Sequence, residues 1–247
     1  MNIIGKPFIE LPRVDSTNIY AMQQAHARLA TPGTVYFAHE QTSGKGQRNR
    51  KWTSEPGKNL MMSAVINAPF SDPGKQFLLS CATALACYDF FKIFAGDETA
   101  IKWPNDIYWR DRKAGGILIE NIIRNSLWDM AVIGIGININ QASFDPELRN
   151  PVSLLQITGK IFNTVELAHS LCSELSNRVN QLNMGNTDEL NAEYNQILFK
   201  RGQQIKFRKD GLVIKGIFDR VDNAGNLVLV GEREEIIQFG TAEWILS

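Results

Sequence analysis

Two strand-like runs, 115–123 and 127–139, separated by the turn residues Asn125 and Ser126, constrain the fold more than any other stretch. Long apolar runs joined by so short a turn pair antiparallel, and this hairpin is expected at the centre of a sheet. Further strands are predicted at 34–39, 59–66, 99–103 and 106–109 around it. A helix opens at Asp15-Ser16-Thr17-Asn18, where Ile19, Met22, Ala25, His26 and Leu29 recur at helical spacing and stop before Pro32-Gly33. Ser16 reads as its N-cap, or as part of a helix start whose donors point at a ligand; one turn accommodates both. The stretch 76–94 is apolar nearly all round, which predicts a buried helix packed on the sheet. After a Pro- and Asn-rich stretch at 140–151, helices are expected near 164–183 and 187–198.

From Arg201 the texture changes to short strands at 204–207, 212–221, 227–230, 235–239 and 243–246, divided by Asp210-Gly211, Asn223-Ala-Gly225 and Gly231. They predict a small β-barrel too short to bury much core alone, and therefore docked on the rest. The expected organisation is α+β, with a main domain over 1–199 and a small β domain over 200–247.

Charge and cysteine usage narrow the function. Lysine plus arginine equals aspartate plus glutamate at 26 each, so no global basic field exists for nucleic acid and any anion site must be local. Cys81, Cys87 and Cys172 lie in apolar helical patterns without CxxC spacing, which suits buried reduced thiols in a cytoplasmic protein. No stretch reads as a signal peptide or as the roughly 18 apolar residues of a membrane span. His26, His39 and His169 are scattered, as structural or surface residues are.

Between the strands at 34–39 and 59–66 hangs Gln41-Thr-Ser-Gly-Lys-Gly-Gln-Arg-Asn-Arg-Lys-Trp52. It puts Lys45, Arg48, Arg50 and Lys51 on a backbone loosened by Gly44 and Gly46, a composition that wraps a dense anion or simply faces water. Two further Lys- and Gly-containing clusters, Lys102-Trp-Pro-Asn-Asp106 and Lys113-Ala-Gly-Gly116, favour the anion site. It is not a Walker loop, because His39 and Gly46 occupy the positions that require Gly and Ser or Thr. Gly134-Ile-Gly136-Ile-Asn138-Ile lacks the third glycine of a dinucleotide fingerprint and reads as a strand.

Ser16-Thr17-Asn18, Gln41 with Gly44-Lys45-Gly46, Lys102-Trp-Pro-Asn-Asp106, Lys113-Ala-Gly-Gly116 and Gly134-Ile-Gly-Ile-Asn138 together resemble the biotin–protein ligases, in order and separation. The tail from Arg201 is similar to that family's SH3-like C-terminal domain, so the resemblance covers almost the whole chain. It implies a mixed sheet flanked by helices, related to class II aminoacyl-tRNA synthetases. The ligase motifs begin by residue 15, so the resemblance is to the monofunctional type, without the DNA-binding helix-turn-helix domain of bifunctional members and without nucleic acid as a partner.

The implied reaction joins biotin to ATP, with Mg²⁺, as biotinyl-5′-AMP, then passes the biotinyl group to a lysine of a biotin carboxyl carrier protein or domain. The resemblance places Ser16, Thr17, Asn18 and Gln41 on biotin's ureido end. The loop Gly44, Lys45, Gly46 and Gln47, with Arg48 and Arg50, would close over biotin and the phosphates. Lys113, beside Gly116, would draw the biotin carboxylate and the α-phosphate together, with Arg50 assisting. Asp106 would orient a group, hold Mg²⁺ or activate the amine. Lys102, Trp103, Asn105 and Asn138 are nucleotide candidates, although Asn138 could equally cap a strand end, and Trp52 and Trp103 suit stacking or core packing. Many relatives carry arginine at the positions of Lys45 and Gln47, so this loop is expected to contribute less charge. The nearest rival is a lipoate–protein ligase or octanoyltransferase, which lacks the full Gly-Lys-Gly-x-Arg loop; another is a non-catalytic biotin sensor, in which Lys113 and Asp106 would be superfluous. A free strand edge would also allow a homodimer, although no sequence feature requires one.

Overall fold

The computed structural model describes residues 3–231, 233–239 and 241–245. The chain begins with β1 (Phe8–Leu11), α1 (Thr17–His26), β2 (Val35–Ala38), β3 (Gly44–Lys45), β4 (Lys51–Trp52), β5 (Leu60–Asn67) and the long α2 (Gln76–Ala95). It continues through β6 (Thr99–Lys102), β7 (Asp106–Trp109), β8 (Arg112–Arg124), β9 (Leu127–Ile137), α3 (Leu154–Thr158), α4 (Thr164–Asn183) and α5 (Thr187–Gln196). The last strands are β10 (Gln204–Lys209), β11 (Leu212–Val221), β12 (Leu227–Val230), β13 (Glu234–Ile237) and β14 (Glu243–Ile245). Leu246, the expected end of the final strand, lies outside the described residues.

Seven strands form a mixed sheet in the order β1-β2-β5-β9-β8-β7-β6. Only β1 and β2 run parallel among its neighbours. The β8–β9 hairpin sits in the interior of the sheet, as its apolar length predicts. Asn125 and Ser126 take φ of 49° and 63°, the left-handed pair that a two-residue hairpin turn requires.

One face of the sheet carries the main core. Ile133, Ile135 and Ile137 of β9 pack there with Phe90 and Phe91 of α2 and Leu171 and Leu175 of α4. Lying between the sheet and α4, α2 needs an apolar surface nearly all round. Contrary to the expectation from sequence, the stretch Pro73–Ala95 is long and apolar enough to cross a membrane by composition, but it is mostly buried inside the fold. Cys81, Cys87 and Cys172 are free and buried, as expected. The opposite face receives α1, whose Ala21 and Ala25 pack on Tyr36, Val65 and Val132.

α1 stops at His26, short of the expected Leu29. The short α3 was not anticipated; it holds too few residues for a period, and its one local signal is the Ser153/Gln156 capping box.

The C-terminal strands pair antiparallel in the order β13-β12-β11-β10-β14. The expected barrel is thus an open five-stranded sheet among the described residues. Trp103 ties it to the larger sheet: its indole N–H donates to Gly225 O at 3.0 Å, and its ring meets Phe207 and Phe239 edge-on.

Candidate active site

Strand register explains the Gly-Ile-Gly-Ile-Asn run. Ser63 of β5, Gly134 of β9 and Leu118 of β8 lie in one cross-strand row, and Met61, Gly136 and Gly116 lie in the next. Gly116 in turn faces Asp106 of β7. Alternation sends the isoleucines of β9 into the core and leaves Gly134 and Gly136 on the other face. That bare floor underlies a cavity of about 460 Å³, walled by α1, the β3–β4 hairpin, β6 to β9, the 144–151 segment and the C-terminal sheet. A methyl at Gly134 would lie 2.3 Å from Asn18 Oδ1, and one at Gly136 would lie 2.6 Å from the Trp52 ring. Each glycine therefore makes room for a side chain of the cavity wall.

At one end the wall is polar and neutral. Ser16 occupies the N-cap position with extended backbone, yet its side chain caps nothing. Gln41 does that work: its Oε1 accepts from Thr17 N at 2.7 Å and lies 3.1 Å from Thr17 Oγ1. The Gln41 amide donates to Met61 Sδ at 3.4 Å, and Ser54 Oγ donates to the same sulfur. Ser63 Oγ lies 2.8 Å from both Thr17 Oγ1 and Asn18 Oδ1, and Asn18 Nδ2 donates to Glu120 Oε2 at 2.7 Å. Thr17, Asn18 and Ser63 are buried, so this network is held rigidly. Ser63, Met61 and Glu120 are absent from the sequence-based set; each sits in a strand-like apolar run that reads as core.

The other end is cationic. A register shift opposite Ile107 and Tyr108 lets Gly115 and Lys113 pair with consecutive residues of β7, leaving Ala114 as the extra residue. The bulge turns Lys113 onto the cavity face, where its Nζ meets Asp106 Oδ1 at 2.7 Å. Lys102 lies above the rings of Tyr108 and Trp244, at 5.4 and 5.0 Å from their centroids. Burial pulls its pKa below the ordinary 10.5, Asp106 opposes this, and the nearby charges of Lys113, Arg50 and Arg149 add to it. Lys102, Lys113, Arg50 and Arg149 thus gather with Asp106 at this end, a local positive site on a chain of zero net charge. Arg149 was not picked from sequence; it reads there as one charge in a polar loop. No cluster of three or more His, Cys, Asp or Glu side chains able to hold a metal exists among the described residues.

Several of the expected site residues also carry structural bonds. The Asn105 amide donates to Ile117 O at 2.6 Å, pinning the Pro104 turn to β8. Asn138 Nδ2 donates to Val152 O at 3.1 Å, fastening β9 to the segment before α3. Trp103 is spent on the contact between the two sheets. All three reach the cavity wall, but their donors are committed to backbone. Gly44 does not line the cavity at all: a methyl there would sit 2.4 Å from Trp52 O, so it serves the close β3–β4 pairing.

Lys45, Gly46, Gln47, Arg48 and Arg50 do line it. Their loop is a tight hairpin with a 3-10 turn at Gln47–Asn49, closed by Gly46 N donating to Arg50 O at 2.7 Å. Arg48 adopts the left-handed region, φ 54°, and its guanidinium lies 5.5 Å from the centroid of the Phe239 ring, in the connection from β13 to β14. Trp52 Nε1 is buried without a hydrogen-bond partner, a donor left open in the wall.

Residues 10–138 match the Biotin/lipoate A/B protein ligase family. The chain is 30% identical to the biotin–[acetyl-CoA-carboxylase] ligase of Mycobacterium tuberculosis, over 91% of this chain and 84% of that protein. With the enzyme of the same name from Paracoccus denitrificans it shares 29% identity over 90% and 93%. It is 35% identical to the bifunctional ligase/repressor BirA of Bacillus spizizenii over 64% of this chain, and the match spans only 49% of that relative's length. Among solved structures, the biotin protein ligase from Aquifex aeolicus in complex with biotin and ATP superposes with a TM-score of 0.81 at 25% identity, covering 98% of this chain and 100% of that one. The glycine floor (Gly116, Gly134, Gly136), the polar end and, Arg149 apart, the cationic end fall inside the matched 10–138 segment, and the chain belongs to the biotin/lipoate A/B protein ligase family.

Proposed function

We propose that this chain activates biotin with ATP as biotinyl-5′-AMP, releasing pyrophosphate, and then transfers the biotinyl group to a lysine of a biotin carboxyl carrier protein or domain. The observation that carries the reading is one cavity with a neutral hydrogen-bonding end at Thr17, Asn18 and Gln41, a flat glycine floor, and a cationic end at Lys113, Lys102 and Arg50. A ligand with a cyclic urea at one end and a carboxylate at the other matches that sequence of environments. The names of the Mycobacterium and Paracoccus relatives support the same assignment.

In this reading the carboxylate oxygen of biotin attacks the α-phosphorus of ATP. Lys113 lies between the two anions and offsets the charge that builds on the phosphoryl oxygens. Asp106 holds Lys113 in place before the anions arrive. Lys102, Arg50 and Arg149 balance the triphosphate. A Mg²⁺ ion fits this donor set only as a companion of the nucleotide, held by phosphate oxygens and water with Asp106 as a protein carboxylate; bound there it would screen the departing pyrophosphate. In the second step the carrier's amine attacks the acyl carbon and AMP leaves. The β3–β4 hairpin, resting through Arg48 on Phe239, screens the mixed anhydride from water. We assign the ligase chemistry to 1–199 and an SH3-like fold to 200–247, whose Phe207, Phe239 and Trp244 complete the cavity.

The test is pyrophosphate exchange into ATP with Mg²⁺, comparing biotin, lipoate and octanoate on wild type and Lys113→Ala. Biotin-dependent exchange that falls about 100- to 1,000-fold in the variant is expected. Exchange with lipoate alone would move the chain to the lipoate branch, and exchange with none of the acids would refute the enzyme.

A further inference from the structure

The polar end of the cavity is ordered by a side chain that does not line it. Glu120 on β8 stands behind Asn18 and accepts its Nδ2 hydrogen at 2.7 Å. A carboxylate can only accept, so Glu120 turns the Asn18 amide one way: Nδ2 toward itself, Oδ1 toward Ser63. The consequence propagates by counting protons. Ser63 is fully buried and has one hydroxyl hydrogen, with Asn18 Oδ1 and Thr17 Oγ1 both at 2.8 Å. Asn18 Oδ1 has no hydrogen to give, so Ser63 donates there. Ser63 Oγ also reaches Thr17 Oγ1 as a second, shared acceptor, and the Thr17 hydroxyl spends its own hydrogen on Gln41 Oε1 at 3.1 Å. Gln41 Oε1, with two lone pairs, accepts from Thr17 N at 2.7 Å as well as from Thr17 Oγ1. Donation therefore runs from Ser63 to Asn18 to Glu120, and Thr17 Oγ1, its one hydrogen held by Gln41, is left as an acceptor at the cavity wall.

We propose that Glu120 is a positioning residue that sets the hydrogen-bond polarity of this end of the cavity, so that it selects a ligand bringing N–H donors. The inference rests on the biotin reading above for the ligand's identity, a cyclic urea with two N–H groups, but the relay itself stands on the hydrogen bonds of the cavity wall. A neutral amide at 120 can present either an oxygen or an NH₂ to Asn18, so the direction of the whole chain is no longer dictated.

Two measurements separate the relay from the ligand. In ligand-free protein, the Asn18 side-chain amide should show one slowly exchanging, downfield-shifted proton by NMR, and this signature should be lost in Glu120→Gln and retained in Glu120→Asp. In pyrophosphate exchange, Glu120→Gln should raise KM for biotin about tenfold to a hundredfold, the factor expected when a hydrogen bond to a charged group is lost. The KM for ATP and kcat should stay within about twofold of wild type, because the cationic end is untouched, and Glu120→Asp should recover part of the biotin KM. Glu120→Gln preserves size, and its melting temperature shows whether it folds; Glu120→Leu serves as the second variant. An unchanged biotin KM in both variants, an equal rise in the ATP KM, or an unchanged amide signature in Glu120→Gln would overturn the proposal. A wild-type protein with the amide signature but no biotin-dependent exchange would instead refute the biotin reading and leave the relay in place.

Discussion

Replacing Gly134 by alanine tests the claim that the glycine floor exists to seat side chains from the opposite wall. On the present backbone the new methyl would stand 2.3 Å from Asn18 Oδ1, 2.9 Å from its Cγ and 3.2 Å from Leu118 O. Favourable contacts lie at about 3.5–4.0 Å, so Asn18 must retreat by more than about 1 Å. That movement breaks its bonds to Glu120 and Ser63, now 2.7 and 2.8 Å long. Losing the charge-assisted bond costs about 1.5–3 kcal/mol and the neutral one about 0.5–1.5 kcal/mol. Alanine returns about 0.5–1 kcal/mol through lower unfolded-chain entropy, which leaves a net loss of about 3 kcal/mol. For a chain of this size the melting temperature should drop by about 6–12 °C. Denaturant titration of wild type, Gly134→Ala, Asn18→Ala and the double variant completes a cycle. With the asparagine side chain removed the methyl has room, so Gly134→Ala should cost under about 1 kcal/mol in that background, a coupling of at least about 2 kcal/mol. A single-variant loss below about 1 kcal/mol, or additivity of the two substitutions, would refute the argument.

Lys102 supplies a pH signature. Burial holds its pKa below 10.5, so between the lowered value and 10.5 the folded state carries fewer protons than the unfolded one, and its effect on stability becomes more favourable as pH rises through that window. A bound polyphosphate favours the ammonium, so ATP binding in that window should take up protons and weaken with rising pH; calorimetry in two buffers of different ionisation enthalpy measures the uptake, and none in wild type would refute the assignment. Burial raises the pKa of Cys81, Cys87 and Cys172, the last to about 12, so a thiol reagent at pH 8 should label none in the native protein and all three after denaturation. Gln47 brings an uncharged side chain to the cavity wall. Gln47→Arg should slow escape of the acyl-adenylate by about 3- to 10-fold by adding a charge-assisted contact, while Gln47→Ala should change it little; equal retention in both would remove Gln47 from the site.

What was legible in the sequence followed from local periodicity. The β8–β9 hairpin, the buried α2, the strands on either side of the basic loop and the five C-terminal strands all carry their patterns within a few residues. Whether β13 and β14 close a barrel depends on a pairing between distant edges, and no local pattern encodes it; the described strands stay open. The clustered motifs converge on one cavity, and the amides of Asn105 and Asn138, picked by residue type, also hold backbone there. Residue type alone overlooked Ser63 and Glu120, polar side chains set within otherwise apolar stretches of β5 and β8.

Lys113 shows why such roles need register. Strict alternation along β8 would put Lys113 on the same side as Gly115, away from Gly116 and Asp106. The extra residue at Ala114 reverses that, and an alanine carries no turn signal by which a bulge could be read in advance. The catalytic candidate is therefore aimed by a one-residue irregularity and held by a carboxylate from the neighbouring strand. The polar end is aimed likewise, by Gln41 capping α1 from 24 positions away and by Glu120 orienting Asn18 from 102 positions away. The sheet joins these remote parts: rows of β5, β9, β8 and β7 fix the spacing between the polar and cationic ends, and the glycines at 116, 134 and 136 keep the space between them open.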